Sequence, residues 1–350
     1  VRGDCATAQG LSELRVLQRP NRHRNRGVIP EGMGPLVAAQ ESKSVALMFP
    51  GQGAQYLGMG KDLVEASPRA REIFQRADDV LGYSLSAIMM EGPEADLKRT
   101  LHTQPAVFVH SMALMEVMRE RCSVNPLIAA GHSLGEYSAL CAAGVLGFED
   151  GLEIIHVRAK GMEEAQPPGT CAMAAIIGPE RDEVLEMVEN CRGEDVLEGA
   201  NFNAPDQVVV SGRLSAVNRV VDVAKTKPRA KAVLLPVSSA FHTALMKPAQ
   251  AALSEKLASV TLCAPRFPVA ANVTGLPYPF PDGMKGLMVE QLVKPVRWTD
   301  CVETMRQAGP DVFLEVGPGR VLNGLLRRIN RHALGMSVGN LASLKAFEGS

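Results

Sequence analysis

With 350 residues, 46% hydrophobic and 21% charged, the chain has the composition of a folded protein long enough for two domains or a domain with an insertion. Its 37 basic residues balance 38 acidic ones to a formal charge of −1, which argues against nucleic acid as a partner, since a phosphate backbone needs a basic face. No apolar run reaches the length of a membrane span, and seven scattered Cys without a C-x-x-C argue against a disulfide framework or a zinc site and for a reducing compartment.

The first stretch, residues 1–43, stands apart. Through residue 26 it holds six Arg against Asp4 and Glu13 and shows no long apolar periodicity. That composition fits either an organellar transit segment or an unstructured extension. Regular structure begins with "SVALMFP" (44–50), which reads as a buried strand running into the Gly-rich turn "GQGAQ" (51–55). Apolar positions Ile73, Phe74, Ala77, Val80 and Leu81 form one helical stripe. "TQPAVFVHSMALMEVM" (103–118) predicts a helix capped by Thr103, with Pro105 tolerated in its first turn. "LIAA" (127–130) predicts a strand and "GEYSALCAAG" (135–144) a helix that follows at once. Between 171 and 237 the rhythm changes to strand, helix, two strands around "APD", helix, strand, the β-α-β-β-α-β order of a ferredoxin-like unit. "FPVAAN" (267–272) and "DVFLEV" (311–316) predict further strands, the second followed by a turn and a helix in "GPGRVLNGLLRRI" (317–329). Strands alternating with helices imply a largely parallel sheet covered on both faces.

Within that plan "GHSLGEYSAL" (131–140) places Ser133 as G-x-S-x-G between a strand and a helix. This is where a sharp turn lifts a serine hydroxyl above the sheet edge as a nucleophile. A serine needs a base, usually His, to take its proton. His23 lies in the Arg-rich stretch and His332 near the end, and His132 is too close in sequence to face Ser133 in a tight turn. His102, His110 and His156 stay open, as does His242 in "SSAFHTALM", where the chain leaves the ferredoxin-like unit. No Asp or Glu beside His242 announces itself as an orienting third member. "GQGAQY" and "GPGRVL" lack the third Gly of a dinucleotide loop, at Tyr56 and Leu322. A Gly turn after a strand can instead aim a backbone N–H at an oxyanion. Gln52 N–H paired with Leu134 N–H would form such a hole, or the turn is a tight connection and nothing more.

Seven segments in one order, "FPGQGAQ" (49–55), "GHSLGEYSAL", "VRAKGM" (157–162), "NFNAPDQVVVSG" (201–212), "SSAFHTALMKPA" (238–249), "EQLVKPVRW" (290–298) and "EVGPGRVLNGL" (315–325), resemble the malonyl-CoA:acyl-carrier-protein transacylases of type II fatty acid synthesis. The resemblance spans roughly residues 44–330. It implies Ser133 as nucleophile, His242 as base and the backbone carbonyl of Gln291 as its orienting partner. It also implies an oxyanion hole of Gln52 and Leu134, and Arg158 as the cation that pairs with the malonyl carboxylate. Read without it, Arg158 would be a solvated helix residue. Asn203, Gln104, Met162 and Met173 match pocket positions, although the two Met also fit ordinary core packing. Phe241 puts a bulky ring beside the base and resembles malonyl-selective relatives.

The implied activity is S-malonyltransfer by a ping-pong acyl-serine mechanism, with malonyl-CoA as substrate and no cofactor. The alternative is a serine-dependent acyl-CoA thioesterase, which would use the same Ser and His without needing Arg158. Implied partners are acyl carrier protein and the coenzyme A thioester, with no nucleic acid and no membrane, and the expected state is a monomer. An acidic carrier would dock on a basic face, for which "KTKPRAK" (225–231), Arg320, Arg327 and Arg328 are candidates, although a charge run also serves as a solvated face. The expected architecture is an α/β-hydrolase-like domain of residues 44–168 and 239–335, with a ferredoxin-like insertion at 169–238 and an extension at 1–43. A transit function for that extension would place the protein in a mitochondrial matrix or plastid stroma; otherwise the expectation is cytoplasmic.

Overall fold

The computed structural model describes residues 43–237 and 239–349, so the expectation for the Arg-rich stretch lies outside the described residues apart from Lys43. The strands in chain order are β1 (Lys43–Phe49), β2 (Val124–Gly131), β3 (Cys171–Ile177), β4 (Leu197–Ala204), β5 (Gln207–Arg213), β6 (Lys231–Leu234), β7 (Val269–Ala270), β8 (Val312–Val316) and β9 (Gly335–Val338).

Five of them form a sheet in the order β7-β2-β1-β8-β9, every neighbouring pair parallel. β1 explains the central position: Val45 to Phe49 are all fully buried, as a strand covered on both faces must be. Alternate side chains go to opposite faces. Val45, Leu47 and Phe49 join one core with Phe108 and Leu114, while Ala46 and Met48 join the other with Trp298, Val302 and Leu326. Phe49 pairs with Gly131, and Met48 with Glu315. The carboxyl ends of β1, β2 and β8 therefore lie side by side, and the turns after them share one rim of the sheet, the position where open α/β sheets bind ligands.

The remaining four strands form an antiparallel sheet in the order β4-β5-β3-β6, built from the β-α-β-β-α-β succession read in the sequence. Helices Arg181–Arg192 and Leu214–Thr226 cover one face, closing a core of Ile176, Val184, Val188, Val208, Val210, Val217 and Val220. The other face contributes Met173, Ala175, Ala200 and Val209 to the main core. Two hydrogen bonds, Phe202 N to Val296 O and Val296 N to Ala200 O, both 2.8 Å, tie β4 to the main unit.

Three sequence expectations are corrected. The long helix spans Thr100–Arg121, so Thr103 is not its cap. Thr103 Oγ1 instead donates to Leu97 O (2.5 Å), and the helix starts earlier because Glu163, 62 residues away, accepts the Leu101 N–H at 3.0 Å. Pro105 consequently sits in the second turn. "FPVAAN" contributes only Val269–Ala270 as strand: Pro268 has no N–H to give a ladder, and Ala271 N turns to Leu276 O. β9, paired parallel with β8, was not foreseen; its four residues carry no strong pattern. Among the described residues no helix is long and apolar enough to cross a membrane.

Candidate active site

β2 ends at Gly131 and the next helix starts at Gly135, which leaves three residues to reverse direction. Both glycines are forced by contact. A Cβ on Gly131 would lie 1.8 Å from Gly135 O, and one on Gly135 would lie 2.1 Å from Phe49 O. Between them Ser133 adopts φ +52°, in the left-handed region. Its backbone is held on both sides. Ser133 N–H donates to Asn272 Oδ1 (2.8 Å), and Ser133 O accepts from Gln291 Nε2 (2.9 Å).

The hydroxyl of Ser133 lies 2.7 Å from His242 Nε2. His242 Nδ1 is 2.8 Å from Gln291 O; a carbonyl only accepts, so the proton is on Nδ1 and Nε2 presents a lone pair to the Ser133 O–H. Burial, reinforced by the Arg158 charge, pushes His242 down to about 3, so the ring is neutral at physiological pH. His102 bonds to Asp96 O and His156 packs on Tyr83; neither serves Ser133.

Arg158, in the middle of helix Phe148–Glu164, is fully buried. One terminal nitrogen donates to Gln104 Oε1 (2.5 Å), the other to Ser133 Oγ and Gln291 Oε1 (both 2.9 Å). Its Nε has no partner among the described residues. Every acceptor is neutral, and desolvation lowers the guanidinium's pKa. Among the described residues no anion touches this buried cation, an arrangement that is costly.

These groups line or border a cleft of about 190 Å³ between the two sheets. Gln52 and Leu134 reach it from the turns after β1 and β2, and their backbone amides donate no hydrogen bond among the described residues. Gln104, Met162, Met173 and Phe241 line it, and so does Asn203, whose Oδ1 lies 2.8 Å from His132 Nε2. The structure thus gathers Ser133, His242, Gln291, Gln52, Leu134, Arg158, Asn203, Gln104 and Phe241 at one place. Among the basic candidates, Arg328 is paired with Asp206 (2.6 Å), Lys225 with Asp222 (3.3 Å) and Lys227 with Glu183 (3.4 Å).

Sequence reasoning missed two residues. Asn272, at the rim just past β7, clamps the turn by accepting from Ser133 N and donating through Nδ2 to Gly131 O (2.8 Å). Glu136, fully buried, accepts from Asn272 N (2.6 Å) and from Tyr278 O–H. A polar residue ending an apolar strand segment was the available signal for Asn272. Glu136 lies in the first turn of its helix, and its sequence position alone carries no signal of its tertiary partners.

The acyl transferase domain family matches residues 47–345. The malonyl CoA-acyl carrier protein transacylase of Haemophilus influenzae is 41% identical over 307 residues, 87% of this chain and 98% of that one. That of Escherichia coli K12 is 43% identical over 284 residues, 81% and 92%. A solved malonyl-transacylase in complex with a type II PKS acyl-carrier protein superposes with a TM-score of 0.84 at 41% identity, covering 88% of this chain and all of that one.

Proposed function

The chain belongs to the acyl transferase domain family, alongside its malonyl CoA-acyl carrier protein transacylases, and on that premise we propose that it moves a malonyl group from malonyl-CoA to the phosphopantetheine thiol of an acyl carrier protein. The reaction runs through two half-reactions on Ser133. His242 Nε2 accepts the Ser133 proton as Oγ attacks the thioester carbonyl. The tetrahedral oxyanion lies against the amides of Gln52 and Leu134, donors of the kind whose loss costs about 3 kcal/mol of transition-state stabilisation. CoA leaves as its sulfur takes the proton back from His242, and the enzyme holds a malonyl ester. The carrier thiol then gives its proton to His242, attacks the ester and restores Ser133.

The observation that carries this reading is Arg158. A buried guanidinium with neutral acceptors, one of them the attacking oxygen, fits a substrate that brings its own carboxylate beside the reacting carbonyl. A planar guanidinium holds a carboxylate through two parallel bonds. Acetyl-CoA has none to offer. Gln104 and Gln291 orient the guanidinium, Asn203 and the two Met shape the cleft, and Phe241 crowds an α-branch.

The same reading includes the finer architecture: an α/β-hydrolase-like unit of 44–168 and 239–335 with a ferredoxin-like insertion at 169–238. The order β4-β5-β3-β6, with the insertion's first and third strands at the centre, supports it. Initial rates with malonyl-CoA and carrier protein varied together test the mechanism. Parallel double-reciprocal lines are expected. Converging lines contradict the malonyl-enzyme intermediate, and steady CoA release without any thiol acceptor makes the protein a thioesterase.

A further inference from the structure

Among the described residues the only Arg, Lys, Asp or Glu side chains that are buried are Arg158, Glu136 and Glu315. Glu315 is satisfied locally, accepting from the amides of Leu322 and Asn323, both at 2.9 Å, at the start of helix Val321–Ile329. The other two are one basic and one acidic side chain, neither in ionic contact among the described residues. Glu136 takes Tyr278 O–H and Asn272 N–H; Arg158 gives to Gln104, Gln291 and Ser133. The side chain of Gln291 and the side chain and backbone N–H of Asn272 bridge the gap. Gln291 turns its oxygen to Arg158 and its Nε2 to Asn272 Oδ1 (3.4 Å), and the Asn272 backbone N–H ends on Glu136. The Gln291 dipole, oxygen toward the cation and N–H away from it, points the way that polarisation between the two charges requires.

We propose that Glu136 is the resting countercharge of Arg158 and sets how tightly the site holds the malonyl carboxylate. The inference rests on the transacylase reading. With the cleft empty, the anion offsets the buried guanidinium through the amides. When malonyl enters, two carboxylates share one cation, so Glu136 weakens the hold on the second. In a transferase that weakening matters, because a malonyl ester gripped too strongly in its ground state is discharged more slowly. Glu136 touches no reacting atom and acts through Arg158; it is a specificity-determining and positioning residue.

Burial pushes the Glu136 carboxyl up to about 7, against the lowering by Tyr278, Asn272, Gln291 and Arg158. Tyr137 on its own helix, Tyr278 in the loop after β7, Cys301 on helix Trp298–Gln307 and Arg158 are the titratable or charged groups that interact with it. The effect is therefore largest above neutrality, where the group is ionised.

The test measures inhibition of wild type and Glu136→Gln by free malonate and by acetate at pH 8, and single-turnover discharge of the malonyl-enzyme to carrier protein. In the variant malonate should bind about tenfold tighter, acetate should change less, and discharge should slow. Wild type should move toward the variant's malonate affinity as pH falls to 6, while the variant stays flat. Tyr278→Phe removes a donor to the ionised carboxylate and should shift malonate binding the same way by a smaller amount, so the proposal stays exposed if Glu136→Gln does not fold. Unchanged or weaker malonate binding in a folded variant overturns it, as does an equal loss for malonyl and acetyl substrates, which a purely structural role would give. If wild type itself transfers no malonyl group, the transacylase reading fails instead.

Discussion

Ser133 and His242 both hold left-handed backbones, at φ +52° and +60°, a conformation that costs a non-glycine residue about 1–3 kcal/mol. At Ser133 that cost is offset by the clamp of Asn272 and Gln291, which fixes its oxygen where both His242 and Arg158 reach it. In the proposed mechanism a few side chains meet opposite demands: a base is kept neutral, and a cation is kept out of contact with any anion among the described residues. Arg158→Ala should lower kcat/KM for malonyl-CoA about a hundredfold, the loss of charged hydrogen bonds totalling on the order of 3 kcal/mol, while acetyl transfer holds or rises. Equal loss of both would remove its role in selection. His242, pushed down to about 3 by burial, has lost its affinity for a proton relative to an exposed imidazole near 6.5. It therefore remains a competent base as pH falls through 6.5, and kcat/KM for malonyl-CoA should show no acid limb there between pH 8 and 5. A limb near 6.5 would mean that the base is solvated in the working enzyme. Phe241→Ser should relieve crowding beside His242 and raise methylmalonyl transfer relative to malonyl; an unchanged ratio would clear Phe241 of that role.

At the scale of elements, the turn from β2 into its helix is built by close approach. Gly135 packs against Phe49 O of β1 and Gly131 against Gly135 O, so the serine's position is coupled to the register of the central strands. Gly135→Ala forces overpacking of the kind that costs about 1–3 kcal/mol; it should lower the unfolding temperature and abolish acylation together. A variant with normal stability and activity would contradict the contact. This strand-turn-helix was legible in the sequence because its signals are local: an apolar run, glycines and a helix start. The beginning of the long helix was not, since Glu163 supplies its tertiary partner at Leu101. Asn272 and Glu136 were hidden for the same reason. Asn272 meets Ser133 across 139 residues, and the contact exists because β7 pairs with β2, a fact of sheet order that no local pattern encodes.

At the scale of all the described residues, one sheet supplies the turns that hold Ser133, Gln52 and Leu134 and the other supplies a wall, and the cleft lies between them. The β-α-β-β-α-β order was readable because amphipathic helices alternate with short, largely apolar segments such as CAMAAII and QVVVSG; which face of that sheet would meet the main core was not, since β3 is apolar on both faces. The carrier protein must bring its thiol into this cleft from outside. Arg327 sits on the exposed side of helix Val321–Ile329, whose other face contributes Leu322 and Leu325 to the cleft, and, unlike Arg328, it has no acidic partner among the described residues. Arg327→Glu should raise the apparent KM for an acidic carrier at low salt and leave malonyl-enzyme formation intact; an unchanged KM would move the docking face elsewhere. Intact mass after brief mixing with malonyl-CoA, on wild type and Ser133→Ala, tests the acyl-serine intermediate. Wild type alone should gain one malonyl group, removed by a carrier thiol. No adduct, with CoA released steadily in the absence of an acceptor, would contradict it.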